Sequence, residues 1–168
     1  MAKAVAEGGE KKVMVAIDES ESSYYALMWV LDNLKESISN FPLIIFMAQP
    51  VTKYNSPYSA SLGSVRMYYP VAATPDFVYS AQENHRKVAM AFLEKAKDIC
   101  ATRGIRAEMV TEVGDPKTAI CNAVQKLNIN LLVLGDRGLG KIKRALIGSV
   151  SNYCVQNAKC PVLVVKKP

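Results

Sequence analysis

The sequence predicts an α/β fold: a single five-stranded parallel sheet, doubly wound, with helices on both faces. Three observations lead there. Short apolar runs recur without polar alternation, as strands buried on both faces require. Stretches with helical hydrophobic spacing lie between them. The two kinds alternate along the chain, beginning and ending on a strand, which is the pattern of a parallel sheet wrapped by helices. Right-handed crossovers leave the doubly wound arrangement as the natural solution. In such sheets ligands sit outside the carboxyl ends of the strands, where strand order reverses.

The first strand is expected over Lys12 to Ile17, ending at Asp18. Ser20 is placed to cap a helix from Glu21 to Glu36, whose core face carries Leu27, Val30, Leu31, Leu34 and Ile38. Trp29 lies off that stripe and reads as partly buried. Leu43 to Ala48 is a second apolar strand. The pattern then breaks over an insertion, residues 50–79, rich in proline, serine and tyrosine (Tyr54, Tyr58, Tyr68, Tyr69, Tyr79). Long loops of this kind are usually functional or disordered: either a lid whose tyrosines stack on a ligand or a surface insertion. A helix from Ala81 to Ala101 follows, with Val88, Phe92, Ala96 and Ile99 on its apolar face; His85, the only histidine, reads as a surface residue.

Ile105 to Val113 alternates as an edge strand with one wet face would. Gly114-Asp115-Pro116 makes a turn that puts Pro116 at a first helical position, and Ala119, Ile120, Ala123, Val124 and Leu127 carry the next core face. Ile129 to Leu134 is a further buried strand. Helical sequence runs to Asn157, and Val162 to Val165 closes the sheet.

The chemistry concentrates after that fourth strand, in Gly135-Asp136-Arg137-Gly138-Leu139-Gly140-Lys141, followed by Gly148-Ser149-Val150-Ser151. A strand that ends in a glycine-rich basic loop and feeds a helix suits phosphate, because backbone N–H groups and the helix dipole both face the anion. The competing reading is a plain turn beside a solvated cluster of Arg137, Lys141, Lys143 and Arg144. Two familiar phosphate motifs fail. Gly135-x4-Gly140-Lys141 is followed by Ile142, which has no hydroxyl for magnesium, and Gly138-Leu139-Gly140 has Lys143 where a third glycine is needed.

A length of 168 residues fits one domain, expected over 12–168 behind a disordered tail at 1–11. Net charge of +6 favours anionic partners, and without a basic-aromatic stripe a small anion explains it better than nucleic acid. No apolar run approaches the ~20 residues that span a bilayer, and the N-terminus has no signal-peptide core. Cys100, Cys121, Cys154 and Cys160 lack zinc-ligand spacing, so core thiols in a reducing compartment are expected, cytoplasmic with the nucleus as an alternative.

Taken together, these residues resemble the universal stress protein family. Its nucleotide-binding members carry Gly-x2-Gly-x9-Gly-[Ser/Thr], which Gly135, Gly138, Gly148 and Ser149 match without a gap. The likeness extends to Val13-Met14-Val15-Ala16-Ile17-Asp18 with Ser20, Ser22 and Ser23, to Gly114-Asp115-Pro116, and to Ala158 through Val165. The resemblance implies a Rossmann-like sheet of strand order 3-2-1-4-5. It also implies ATP or another adenine nucleotide as ligand, with magnesium as an optional companion, and a homodimer through the last strand. On this reading Ala16, Ile17 and Asp18 meet the nucleoside and Ala48 lies beside the base. Gly114, Gly135, Arg137, Gly138, Gly148, Ser149, Val150 and Ser151 complete the site, the glycine-rich segments wrapping ribose and phosphates. Asp136 departs from the small residue usual after the first glycine and, aimed inward, would oppose a triphosphate.

The expected function is a nucleotide-binding, stress-response regulator with little or no turnover. Nothing resembles a placed general base, so a slow ATP hydrolase is the weaker alternative. A nucleotide-independent partner-binding module and redox sensing through Cys154 or Cys160 are further readings.

Overall fold

The computed structural model describes residues 11–52, 58–62, 65–69, 74–136 and 147–168; of 58–62 and 65–69 it describes the backbone alone. The N-terminal residues 1–10, Tyr54, Arg137, Gly138 and the bases Lys141, Lys143 and Arg144 therefore lie outside the described residues.

Five strands form one sheet: β1 (Val13–Ala16), β2 (Leu43–Gln49), β5 (Ala107–Val113), β6 (Leu131–Gly135) and β7 (Val162–Val165). Their order is β5-β2-β1-β6-β7 and every pairing is parallel, which is 3-2-1-4-5 counted along the sheet's own strands. β1 is central and buried on both faces, which explains why Val13-Met14-Val15-Ala16 contains no polar residue.

Side chains alternate across the sheet with a period of two, and the two cores follow that alternation. Val13, Val15, Leu43, Ile45 and Met47 pack under α1 (Glu21–Asn33) and α3 (Pro75–Thr102), against Leu27, Val30, Leu31 and Leu93. Met14, Ala16, Ile44, Phe46, Leu132 and Leu134 pack under α4 (Pro116–Lys126) and α5 (Ser149–Asn157), against Ile120, Ala123, Val124 and Cys154.

The helices start and stop as local chemistry dictates. Ser20 caps α1, its Oγ accepting from the Ser23 amide at 3.3 Å. The helix ends at Asn33, three residues earlier than expected, and a short helix α2 (Lys35–Ile38) carries Ile38 into the core. Gly104, at φ +71°, ends α3 in the left-handed conformation glycine tolerates, and the Ile105 amide returns to the Cys100 carbonyl at 3.0 Å.

Three expectations for the middle of the chain are corrected. The insertion contains a two-stranded antiparallel hairpin, β3 (Tyr58–Leu62) with β4 (Val65–Tyr69), paired from Tyr58↔Tyr69 to Leu62↔Val65. α3 begins at Pro75, six residues before Ala81, with Thr74 as its cap and proline at the start, where its missing N–H costs nothing. The buried face of α3 keeps Ala96 and, in part, Ile99 of the expected face but is turned away from Val88 and Phe92. Ala89, Leu93, Ala96 and Cys100 are buried, while Val88 and Phe92 are 43% and 37% exposed.

His85 is half-buried and bonded, not a bare surface residue: its Nδ1 lies 3.2 Å from the Pro50 carbonyl and 3.3 Å from Thr52 Oγ1. Trp29 is partly buried, as expected. Among the described residues no helix is long and apolar enough to cross a membrane.

Candidate functional site

Register brings the predicted residues to one edge. Ala16 pairs with Leu134 and with Phe46, so Ile17 and Asp18 leave β1 beside Gly135 and Asp136 at the end of β6. Ala48 pairs with Glu112 near the end of β2, and the Gly114 amide closes on the Gln49 carbonyl at 3.0 Å. The chain leaves β1 towards β2 on one side and returns through α4 to β6 on the other. The strand order therefore reverses between β1 and β6, the place where open α/β sheets hold ligands.

On the β1 side, Asp18 organises a tight turn. Its Oδ1 accepts from the Ser20 amide at 2.8 Å and from the Ser20 hydroxyl. The Asp18 amide donates to Ser23 Oγ at 3.0 Å. The turn residue and the candidate nucleoside contact are thus the same side chain. On this side of the sheet a cavity of about 220 Å³ opens between α1 and α3, walled by Ile17, Tyr24, Leu27, Phe92, Ala96 and Ile99. It reaches Asp18 but lies on the α1–α3 face, away from the start of α5.

On the β6 side, Gly148 is the N-cap of α5 and, being glycine, supplies no side-chain capping bond of its own. The first turn of a helix leaves its N–H groups without intrahelical partners, so Ser149, Val150 and Ser151 offer donors at the positive end of a dipole. Two bonds fix this end to the sheet. The Gly148 amide donates to Asp136 Oδ1 at 3.1 Å, and the buried Ser151 hydroxyl donates to the Gly135 carbonyl at 3.3 Å. Ser151 thus commits its hydroxyl to the strand end. Ser149 is exposed.

Gly135 has a role that sequence reasoning missed. A Cβ placed there would stand 2.3 Å from the Ser22 carbonyl oxygen and 2.8 Å from the Ser23 amide nitrogen. The glycine admits the first turn of α1 against β6, which holds the two halves of the crevice together.

Sequence reasoning also missed a polar cluster at the end of β2, because a lone glutamine after an apolar run reads as the start of a loop. Gln49 is 4% exposed. Its Nε2 donates to Thr111 Oγ1 at 3.1 Å, and Gln82 Oε1 accepts from the Thr52 amide at 3.1 Å. With His85, this cluster pins the outgoing chain to α3 next to Ala48.

Three of the thiols are held protonated by burial. Burial pushes Cys100 up to about 11. Burial, with Cys121 and Cys160 nearby, pushes Cys154 up to about 12. Burial likewise raises Cys160. Thiolate is the reactive form, so Cys154 is a packing residue, and its Sγ rests 4.0 Å from that of Cys121.

A parallel sheet whose strand order reverses between β1 and β6 defines an open, doubly wound α/β protein. The sequence model of the universal stress protein family matches residues 10–166, and the chain belongs to that family. A universal stress protein A-like protein of Arabidopsis thaliana is 28% identical over 166 residues, covering 93% of this chain and 90% of its own length. A Bacillus subtilis universal stress protein is 30% identical over 155 residues, covering 92% and 98%. Among solved structures, a family protein from Arabidopsis thaliana with AMP bound has TM-score 0.64 at 26% identity, covering 94% of this chain and 92% of its own. A universal stress protein in complex with cAMP has TM-score 0.61 at 25% identity, covering 92% and 96%.

Proposed function

We propose that the protein binds an adenine nucleotide in the crevice between β1 and β6 and acts as a nucleotide-responsive regulator with little or no turnover. The observation that carries this reading is the first turn of α5, which starts from a glycine cap without a side chain of its own and follows the end of β6 in space. Relatives that hold AMP and cAMP support the choice of adenine nucleotide. The base and ribose go to Ala16, Ile17, Asp18 and Ala48, with Gly114 at the neighbouring strand end. The phosphates go to Gly135, Gly148, Ser149, Val150 and Ser151, with Arg137 and Gly138 from the loop. A carboxylate accepts and would repel phosphate, which assigns Asp18 to ribose hydroxyls or an amino group.

Among the described residues no three His, Cys, Asp or Glu stand together as metal ligands, so the proposal leaves magnesium to the phosphates of ATP. His85, the only histidine, is tied to Pro50 and Thr52, which speaks for slow chemistry. β7 is an edge strand bonded to β6 alone in the sheet, and pairing it with a second copy would close that edge.

The test uses the helix start. Gly148 has φ −51° and ψ 151°, the extended conformation a following proline demands, and proline is tolerated at a first helical position. Ser149→Pro therefore removes one amide donor with the helix kept. Losing a hydrogen bond to a charged group costs about 1.5–3 kcal/mol, roughly ten- to a hundredfold in Kd. Ser149→Ala, which removes only the hydroxyl, should cost much less. Equal AMP affinity in wild type and Ser149→Pro by calorimetry would remove α5 from the site.

A further inference from the structure

Asp136 places a carboxylate at the very helix end that the proposed site uses for phosphate. Its Oδ1 accepts the Gly148 amide at 3.1 Å, one residue before the first helical position, Ser149. Its own amide donates to the Val165 carbonyl at 2.9 Å, continuing the β6–β7 ladder and fixing the residue to the sheet. The acid is therefore held at both ends. It consumes one donor of the α5 terminus and leaves negative charge where the helix dipole is most positive.

Resting on the nucleotide reading above, we infer that Asp136 is a specificity-determining residue that biases the crevice towards nucleotides of low phosphate charge, monophosphates over triphosphates. A helix end that already carries an anion has less field to offer a second one. Each phosphate added beyond the first brings roughly one further negative charge towards that carboxylate. Attraction from the remaining amides grows little beyond the first phosphate group they bind, while repulsion from Asp136 grows with total charge and falls only slowly with distance. The adenosine portion carries no charge and is untouched by this effect.

Asp136→Asn isolates the charge, because the amide oxygen still accepts from Gly148 while the formal charge is gone. Arg137, Lys141, Lys143 and Arg144 are present in both proteins, so their contribution cancels in the comparison. Affinities for adenosine, AMP, ADP and ATP are measured by calorimetry on the full chain, without magnesium, in about 50 mM salt, where the Debye length keeps the charges in view of one another.

The inference expects wild type to bind AMP more tightly than ATP, and Asp136→Asn to shift the ATP-to-AMP affinity ratio towards ATP by roughly tenfold. Adenosine affinity should be unchanged, which also reports that the variant is folded. The same ratio in both proteins overturns the inference and leaves the nucleotide site standing. Wild type that binds none of the four ligands overturns the nucleotide reading itself, and this inference with it.

Discussion

Replacing Gly135 with alanine tests the claim that this glycine serves the meeting of α1 with β6. The added Cβ would stand 2.3 Å from the Ser22 oxygen and 2.5 Å from the Ser22 carbonyl carbon, about 1 Å or more inside ordinary contact. Both atoms are backbone, so no rotamer change relieves the clash. The turn that carries them is itself held: Ser23 is 5% exposed, and its Oγ is bonded to Asp18 and to the Ser20 carbonyl. The first turn of α1 must move away from the sheet. Overpacking of this kind costs about 1–3 kcal/mol, and the rigid partner points to the upper part of that range. Alanine returns about 0.4–1 kcal/mol by restricting the unfolded chain, leaving a net loss of about 2 kcal/mol. For a chain of this size that is roughly 4–8 °C in Tm. The assay is thermal unfolding followed by circular dichroism. A variant that melts with or above wild type would refute the packing role and return Gly135 to the ligand as its sole reason.

Two further outcomes follow from the structure. Cys100 and Cys154, at about 11 and about 12, stay neutral in the folded protein at a pH where the unfolded thiols, near ~8.5, have ionised. Their contribution to stability is complete below that unfolded value and is lost as pH rises towards 11–12. The urea midpoint should therefore fall between pH 8.5 and 11, and fall less in Cys154→Ala measured against its own pH 7 value; an identical slope would contradict the assignment. Light scattering should give a mass of twice 18.4 kDa at micromolar concentration if β7 pairs across two copies, and a mass of 18.4 kDa at every concentration would remove the dimer.

The strands of the central sheet were legible in the sequence because burial on both faces leaves no room for polar residues. Val13–Ala16, Leu43–Gln49 and Leu131–Gly135 each stand out as apolar runs for that reason. Their spatial order is not written in periodicity; it came with the family resemblance. The hairpin at Tyr58–Leu62 and Val65–Tyr69 was hidden because Tyr-Ser-Ala-Ser-Leu has neither an apolar run nor a strict alternation. α3 was dated too late because Pro75 reads as a breaker, although a first helical position accepts it. Its face was read partly right: Ala96 is buried as expected, but Ala89, Leu93 and Cys100 take the places given to Val88 and Phe92.

The site was legible in its location more than in its division of labour. Strand ends and a glycine-rich loop point to the crevice, and register brings the end of β1 beside the end of β6 there. What individual groups do depends on long-range contacts. Gly135 is shaped by Ser22, more than a hundred residues away in sequence. Ser151 turns its hydroxyl to the Gly135 carbonyl, and Asp136 takes the Gly148 amide. Gln49 belongs to a cluster with Thr111 and Gln82 that no local pattern announces.

The central claim is that an adenine nucleotide occupies the crevice, and its most direct test is made on protein purified without added nucleotide. The protein is denatured, the released small molecules are identified by mass spectrometry, and the refolded chain is titrated with adenosine, AMP and ATP. The account predicts release of an adenine nucleotide or saturable binding at one ligand per chain, weakened in Ser149→Pro. Protein that releases nothing and gives no binding with any of the three up to millimolar concentration would contradict it.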